Sequence, residues 1–159
     1  PDLRLAIPGI EAASYHGQNQ QDWLRELLGA DQNLQERLIL PGAVGNLGDW
    51  YARATLFLLP SRYEGFPNVL LEAMAAGCTC VAADCYTGPA DLIRDGENGV
   101  LLPPNADANE WSSAVRELLD QAQRRERLGL AAQGVRHRFA VERLRHQFLR
   151  GLEDSSHGR

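Results

Sequence analysis

Thr55-Leu56-Phe57-Leu58-Leu59-Pro60-Ser61-Arg62-Tyr63-Glu64-Gly65-Phe66-Pro67-Asn68-Val69-Leu70-Leu71-Glu72-Ala73-Met74-Ala75-Ala76-Gly77 passes from an apolar run through a loop into a helical pattern. The run Thr55 to Leu59 is apolar on both faces, as a central parallel strand is. Pro67 suits the first turn of a helix, where its missing N–H costs nothing, and Gly77 suits the residue just past the end. Between them Val69, Leu70, Ala73, Met74 and Ala76 supply a buried stripe. A strand-loop-helix junction is where parallel α/β sheets place ligands, and this one carries two carboxylates, Glu64 and Glu72, able to accept hydrogen bonds from hydroxyls. The helix start offers free backbone N–H groups, Asn68 and Val69 among them, and the positive end of its dipole, which favours a phosphate. The first inference is a polyhydroxylated, phosphorylated ligand. Spacing alone leaves the bland alternative open, with Glu72 a solvated helix residue and Glu64 a turn residue.

Outward from this junction the pattern repeats. Leu3 to Ile7 reads as a strand closed by Pro8-Gly9, Gln18 to Leu28 as a helix, and Leu38 to Leu40 as a strand stopped at Pro41-Gly42. Gly48 to Ala54 fits a short helix, Cys78 to Ala83 a strand, Gly88 to Arg94 a short helix, and Gly99 to Leu102 a last strand. From Asp107 onward the chain is helical. Asp107 and Glu110 form a capping pair ahead of Trp111, Val115 and Leu118, and further helices carry Leu128, Ala131, Ala132 and Val135, then Leu144, Phe148 and Leu152. Strand-helix units without repeat-length self-similarity mean an α/β fold, a Rossmann-like doubly wound parallel sheet followed by C-terminal helices. The expected boundaries are a single domain over 1–152 and a disordered tail over 153–159.

Composition narrows the function. At 159 residues and 44% hydrophobic, the chain buries one sizeable core. A net charge of -5 argues against nucleic acid as a partner, since phosphate neutralisation needs a basic face. No apolar run reaches the roughly 20 residues of a membrane helix, so a cytoplasmic protein is expected, with the inner face of the membrane as an alternative address. Cys78, Cys80 and Cys85 have no histidine near them to complete a zinc site and read as small apolar packers in and after a strand. Met74 is the only methionine, so an excerpt or processed form is expected. All 16 cations among Lys and Arg are arginine, which removes Walker-type P-loop and pyridoxal chemistry together.

The run Glu64-Gly65-Phe66-Pro67-Asn68, then Glu72-Ala73-Met74-Ala75-Ala76-Gly77, resembles the paired-glutamate signature of the retaining GT-B glycosyltransferases, the group 1 or family 4 enzymes. Gly42-Ala43-Val44, Tyr51-Ala52-Arg53-Ala54, Val81-Ala82-Ala83-Asp84, Thr87-Gly88-Pro89 with Asp91-Leu92-Ile93, and Asp95-Gly96-Glu97-Asn98-Gly99 fall in that family's order across residues 1–150.

The resemblance implies the C-terminal, nucleotide-sugar-binding half of such an enzyme. Glu64, the implied catalytic residue, orients the donor hexose with Gly65, Phe66 and Asn68. Glu72 binds the ribose, Val69 and Leu70 at the helix start face the diphosphate, and Val44 lies beside the nucleobase. The donor is a UDP- or GDP-hexose, transferred with retention and without a metal ion or other cofactor to a polysaccharide, oligosaccharide or lipid-linked acceptor. Departures are also visible. The family's diphosphate-clamping arginine and lysine have no counterpart here, because Leu3 to Ile7 matches the family's second strand. Its Gly-x-Gly-Pro is Pro8-Gly9-Ile10-Glu11, and its usual loop glutamate is Asp91. The acceptor-binding N-terminal domain is absent as well, so the isolated chain is expected to be inactive and its sheet incompletely closed. A noncatalytic nucleotide-sugar-binding module and a GT-B sugar-nucleotide epimerase are the alternatives. The eight arginines from Arg124 to Arg150 read as a solvated helix face, with peripheral association of the full protein with acidic lipid as the alternative.

Overall fold

The structure, a computed structural model, describes residues 3–9 and 19–156. Its contacts fall into two compact units, Pro1–Leu47 and Gly48–Arg159, where length alone suggests one.

In the first unit β1 (Leu5–Ala6) pairs in parallel with β2 (Leu38–Ile39), Leu5 opposite Leu38. Between them lie α1 (Gln20–Leu27) and α2 (Gln32–Arg37). Asn19 caps α1 by accepting from the Gln21 and Asp22 N–H groups, and Asp31 caps α2 by accepting from Leu34. The turn after β1 is tied to the turn after β2 by the Gly9 N–H, which donates to the Gly42 carbonyl at 2.8 Å. His16 and the residues of the Pro8-Gly9-Ile10-Glu11 departure from Ile10 onward lie outside the described residues.

The second unit holds a three-stranded parallel sheet in the order β3 (Phe57–Leu59), β4 (Cys80–Ala83), β5 (Val100–Leu102). Here β4 is the middle strand and all four of its residues are buried. Thr55 to Leu59 is read from sequence as a central strand, but the ladder covers only Phe57–Leu59 and pairs it with β4 alone among the described residues. Among the described residues β1-β2 and β3-β4-β5 are two separate ladders.

Helices α3 (Leu47–Arg53), α4 (Asn68–Ala76) and α5 (Pro89–Leu92) connect these strands. The sheet packs on α6 (Ala108–Asp120) and α7 (Ala122–Ala132) through a core of Val81, Leu118 and Leu128, with Trp111 half-buried against it. The capping box read at Asp107 is present: its carboxylate accepts from Asn109 and Glu110, and Glu110 accepts from the Asp107 N–H at 2.7 Å. The stripe Leu128 to Val135 is split between α7 and a separate short α8 (Val135–Arg138). Finally α9 (Val141–Ser156) continues into the stretch read as a tail, while 157–159, His157 included, lie outside the described residues.

Three arginines of the C-terminal segment are tied to helix ends rather than merely solvated. Arg125 donates to the Leu118 and Leu119 carbonyls at the end of α6, at 2.8 and 3.1 Å. Arg136 donates to the Ala75 carbonyl at the end of α4 at 2.6 Å. Arg138 reaches Asp91 and Leu92 at the end of α5, at 2.6 and 3.3 Å. The last carbonyls of a helix have no intrahelical partner and carry the negative end of its dipole, so a guanidinium satisfies both needs there.

Candidate functional site

The loop Glu64–Pro67 enters α4 without a side-chain cap, and the first turn of the helix carries no acid. At the other end Gly77, with φ +86°, closes the helix through bonds from its N–H to Ala73 and Met74, the left-handed termination that favours glycine. Leu70, Ala73 and Met74 are fully buried and fix which face of α4 turns outward.

The amides at the helix start are not equivalent. The Asn68 N–H donates to the Phe66 carbonyl at 2.9 Å, and the Leu70 N–H to the Pro67 carbonyl at 3.0 Å, so two of the amides assigned to the ligand are engaged inside the turn. The N–H groups of Gly65, Phe66 and Val69 have no partner among the described residues, and all three residues are exposed. Leu70 contributes packing beneath the loop rather than contact.

A second loop holds the first in place. The Thr87 hydroxyl donates to the Glu64 carbonyl at 2.5 Å. Next to it Gly88 has φ +100°, and a Cβ there would lie 2.6 Å from Pro67 Cδ and 2.9 Å from the Gly65 carbonyl oxygen. Only glycine allows both this backbone angle and this approach. Phe66 leans on Phe139 with ring centroids 5.7 Å apart, and the Arg138 guanidinium sits 5.3 Å from the Phe139 centroid. The half-buried Glu64 side chain therefore projects from a braced backbone.

Glu72 is exposed on α4 and accepts from the Tyr51 hydroxyl of α3 through Oε2 at 3.5 Å. Tyr51 is only 6% exposed and meets Phe57 edge-on at 5.6 Å. Burial first, then the charge of Glu72 and its hydrogen bond, push the Tyr51 phenol up to about 12. It stays a neutral donor that anchors one carboxylate oxygen and leaves Oε1 for a ligand. Cys78, Cys80 and Cys85 are free and buried; burial pushes Cys78 up to about 11 and raises Cys80 further still, which suits packing and not nucleophilic or ligating thiolates.

Above the carboxyl ends of β3, β4 and β5 lies a cleft of about 600 Å³ lined by Pro60, Arg62, Tyr63, Ala83, Pro104, Asn105, Ala106 and Trp111. Arg62 enters this cleft and makes no ion pair with its sequence neighbour Glu64. Val44 belongs to the first unit, half-buried two residues after Gly42, whose φ is +72°. Sequence reading missed Tyr51, Thr87 and Phe139 as supports of the site. The first two lie in motifs that carry the family resemblance, which is the signal that would have found them.

A parallel sheet with its loops at the strand carboxyl ends, and a bare helix start flanked by two carboxylates, defines an α/β domain suited to an anionic, hydroxyl-rich ligand. The chain belongs to the glycosyl transferases group 1 family, whose model matches residues 2–121. It is 40% identical over 141 residues, 86% of this chain and 32% of the relative, to the D-inositol 3-phosphate glycosyltransferase of Thermobispora bispora. It is 38% identical over 136 residues to the exopolysaccharide phosphotransferase SCO2592 of Streptomyces coelicolor, which covers 85% of this chain and 14% of that protein. Among solved structures, HepE of Anabaena in complex with UDP superposes with a TM-score of 0.80 at 25% identity, covering 97% of this chain and 42% of HepE. The fold is that of the C-terminal half of GT-B glycosyltransferases. The chain thus spans between a seventh and under half of the length of these proteins. Among the described residues no helix is long and apolar enough to cross a membrane.

Proposed function

We propose that this chain is the donor-binding part of a retaining hexosyltransferase that uses a UDP- or GDP-hexose to build a polysaccharide, oligosaccharide or lipid-linked glycan. The observation that carries the reading is the set of three open N–H groups, of Gly65, Phe66 and Val69, between Glu64 and Glu72. In this reading Glu72 accepts from the ribose hydroxyls with the oxygen that Tyr51 leaves free. Glu64 accepts from the hexose hydroxyls, with Gly65, Phe66 and Asn68 around it. The Val69 N–H and the dipole of α4 meet the diphosphate, and Leu70 supports the turn.

As the glycosidic bond breaks, negative charge grows on the departing diphosphate and positive charge on the sugar ring. Fixed N–H dipoles stabilise the first without reorganising, and a nearby carboxylate favours the second. In this reading the N–H dipoles and cations, rather than a metal ion, stabilise the departing diphosphate. The acceptor and the cations that complete the diphosphate site come from outside these 159 residues, so binding without turnover is expected of this chain alone.

Calorimetry with UDP, GDP, UDP-glucose and GDP-mannose tests the reading. A carboxylate hydrogen bond of about 1.5 to 3 kcal/mol makes Glu72→Ala weaken nucleotide binding by roughly tenfold or more. Glu64→Gln should lower the extra affinity that the hexose confers while sparing UDP. Unchanged affinity of Glu72→Ala for every nucleotide refutes the ribose role. The name of the Streptomyces relative favours a second reading, nucleotide binding in service of phosphotransfer. It predicts equal affinity with and without the hexose, whereas donor binding predicts a gain through Glu64.

A further inference from the structure

The cleft at the strand ends carries polar groups that nothing in the protein uses. Arg62, Tyr63, Asn105 and Trp111 line it, and the side chains of all four make no hydrogen bond or ion pair among the described residues. The indole N–H of Trp111 is not buried without a partner, since no buried side-chain nitrogen or oxygen is left unpaired there; it must therefore open to solvent. Trp111 is otherwise packed on the core, which holds its ring in one place. Tyr63 is 89% exposed, so its ring is open to a ligand.

The charge of the cleft is also one-sided. Arg62 is its only ionisable lining group besides the phenol, and no carboxylate lines it, in a chain whose formal net charge is -5. The nearest acids in sequence are Glu64, Asp84, Asp107 and Glu110; none of them lines the cleft, and the last two are held in the capping box of α6. A planar guanidinium binds a carboxylate or phosphate through two parallel N–H bonds, while aromatic faces accept the apolar C–H face of a sugar ring. Asn105 and the indole N–H add donors for hydroxyls or ring oxygens.

We propose that this cleft binds a carbohydrate bearing an oxyanion, either a uronate carboxylate or a sugar phosphate, with Arg62 on the anion and Tyr63 and Trp111 on the ring. Neither Glu64 nor Glu72 lines this cleft, and the proposal does not depend on the donor reading for its binding. Arg62 and Tyr63 lead directly into the donor loop, so a glycan held here is delivered next to the donor if that reading also holds.

The test is NMR titration and calorimetry of the 159-residue chain with a glucuronate trisaccharide, glucose 6-phosphate and neutral maltotriose. The expected result is millimolar or tighter binding of one or both charged probes, at least tenfold weaker binding of maltotriose, and shifts centred on the Trp111 indole N–H. Which charged probe binds better distinguishes carboxylate from phosphate. Arg62→Gln should abolish the preference for charge and Tyr63→Ala should weaken all probes; both positions are exposed, so folding is unaffected, as circular dichroism would verify. UDP affinity should be the same in Arg62→Gln as in the wild type. Equal binding of maltotriose and the charged probes, no effect of Arg62→Gln, or displacement of the probes by UDP overturns the proposal. Failure of the donor reading shows separately, as loss of UDP binding or its indifference to Glu72→Ala.

Discussion

Replacing Gly88 with alanine tests the claim that the Glu64 loop is braced from behind. Two costs arise at this position. A residue with a Cβ pays about 1 to 2 kcal/mol for a left-handed backbone, and Gly88 has φ +100°. The new methyl would also lie 2.6 Å from Pro67 Cδ and 2.9 Å from the Gly65 carbonyl oxygen, both parts of the chain's framework rather than the free end of a side chain. Relieving that overlap costs roughly 1 to 3 kcal/mol more, and the stiffer unfolded chain returns about 0.4 to 1 kcal/mol. The net expectation is a loss of about 1 to 4.6 kcal/mol. Gly96→Ala is the control, with φ +71° and nothing within 4 Å of its Cβ; it pays the first cost alone, about 0 to 1.6 kcal/mol after the same return. Urea unfolding followed by circular dichroism gives both values, and calorimetry with UDP-glucose gives the second readout. Only Gly88→Ala should weaken the nucleotide sugar, because only it displaces Gly65 and Pro67. Equal stability of the two variants, or unchanged UDP-glucose affinity in a folded Gly88→Ala protein, refutes the bracing argument.

Three further outcomes follow from contacts described above. Tyr51→Phe should cost under about 1 kcal/mol at neutral pH, since the lost bond is long and partly solvated, and should weaken UDP by freeing Glu72. Because Tyr51 ionises near 12 when folded and near 10 when unfolded, the unfolded state loses this proton first, and wild-type stability should fall as pH rises from about 10 to 12 more steeply than that of Tyr51→Phe. Ellman's reagent at pH 8 should find Cys78 and Cys80 unreactive in the native chain and reactive in guanidinium, since burial raises both thiols; fast native reaction at either would contradict their place in the core. Arg138→Ala should cost about 1 to 2 kcal/mol in urea unfolding, with Arg138→Lys failing to restore it, because one ammonium does not bond two carbonyls while covering the Phe139 ring.

Local rules made much of the fold readable. Pro67 and Gly77 bracket α4, and Asp107 with Glu110 starts α6, because caps and terminators act within a few residues. Helix α2 was invisible: Gln32–Arg37 carries one apolar residue, Leu34, so no apolar period marks it and only the Asp31 cap does. The short span of Phe57–Leu59 and its place at the end of the ladder depend on which strands pair, a long-range fact that an apolar run does not carry. At the site, Glu64 and Glu72 were legible because chemistry and motif coincide there. Their supports were not, since Tyr51 reaches Glu72 and Thr87 reaches Glu64 across long stretches of chain. The arginines misled for a similar reason. A cation on a helical pattern looks solvated until the carbonyl it caps is seen on another helix.

Those arginines bear on where the domain ends. The family match stops at residue 121, yet Arg125, Arg136 and Arg138, which close the ends of α6, α4 and α5, all lie beyond it. A boundary drawn at the end of that match would therefore sever the clasp while keeping everything it fastens. Recombinant fragments and chimeric swaps within this family should carry the chain through Phe139 to inherit a donor loop that holds its shape.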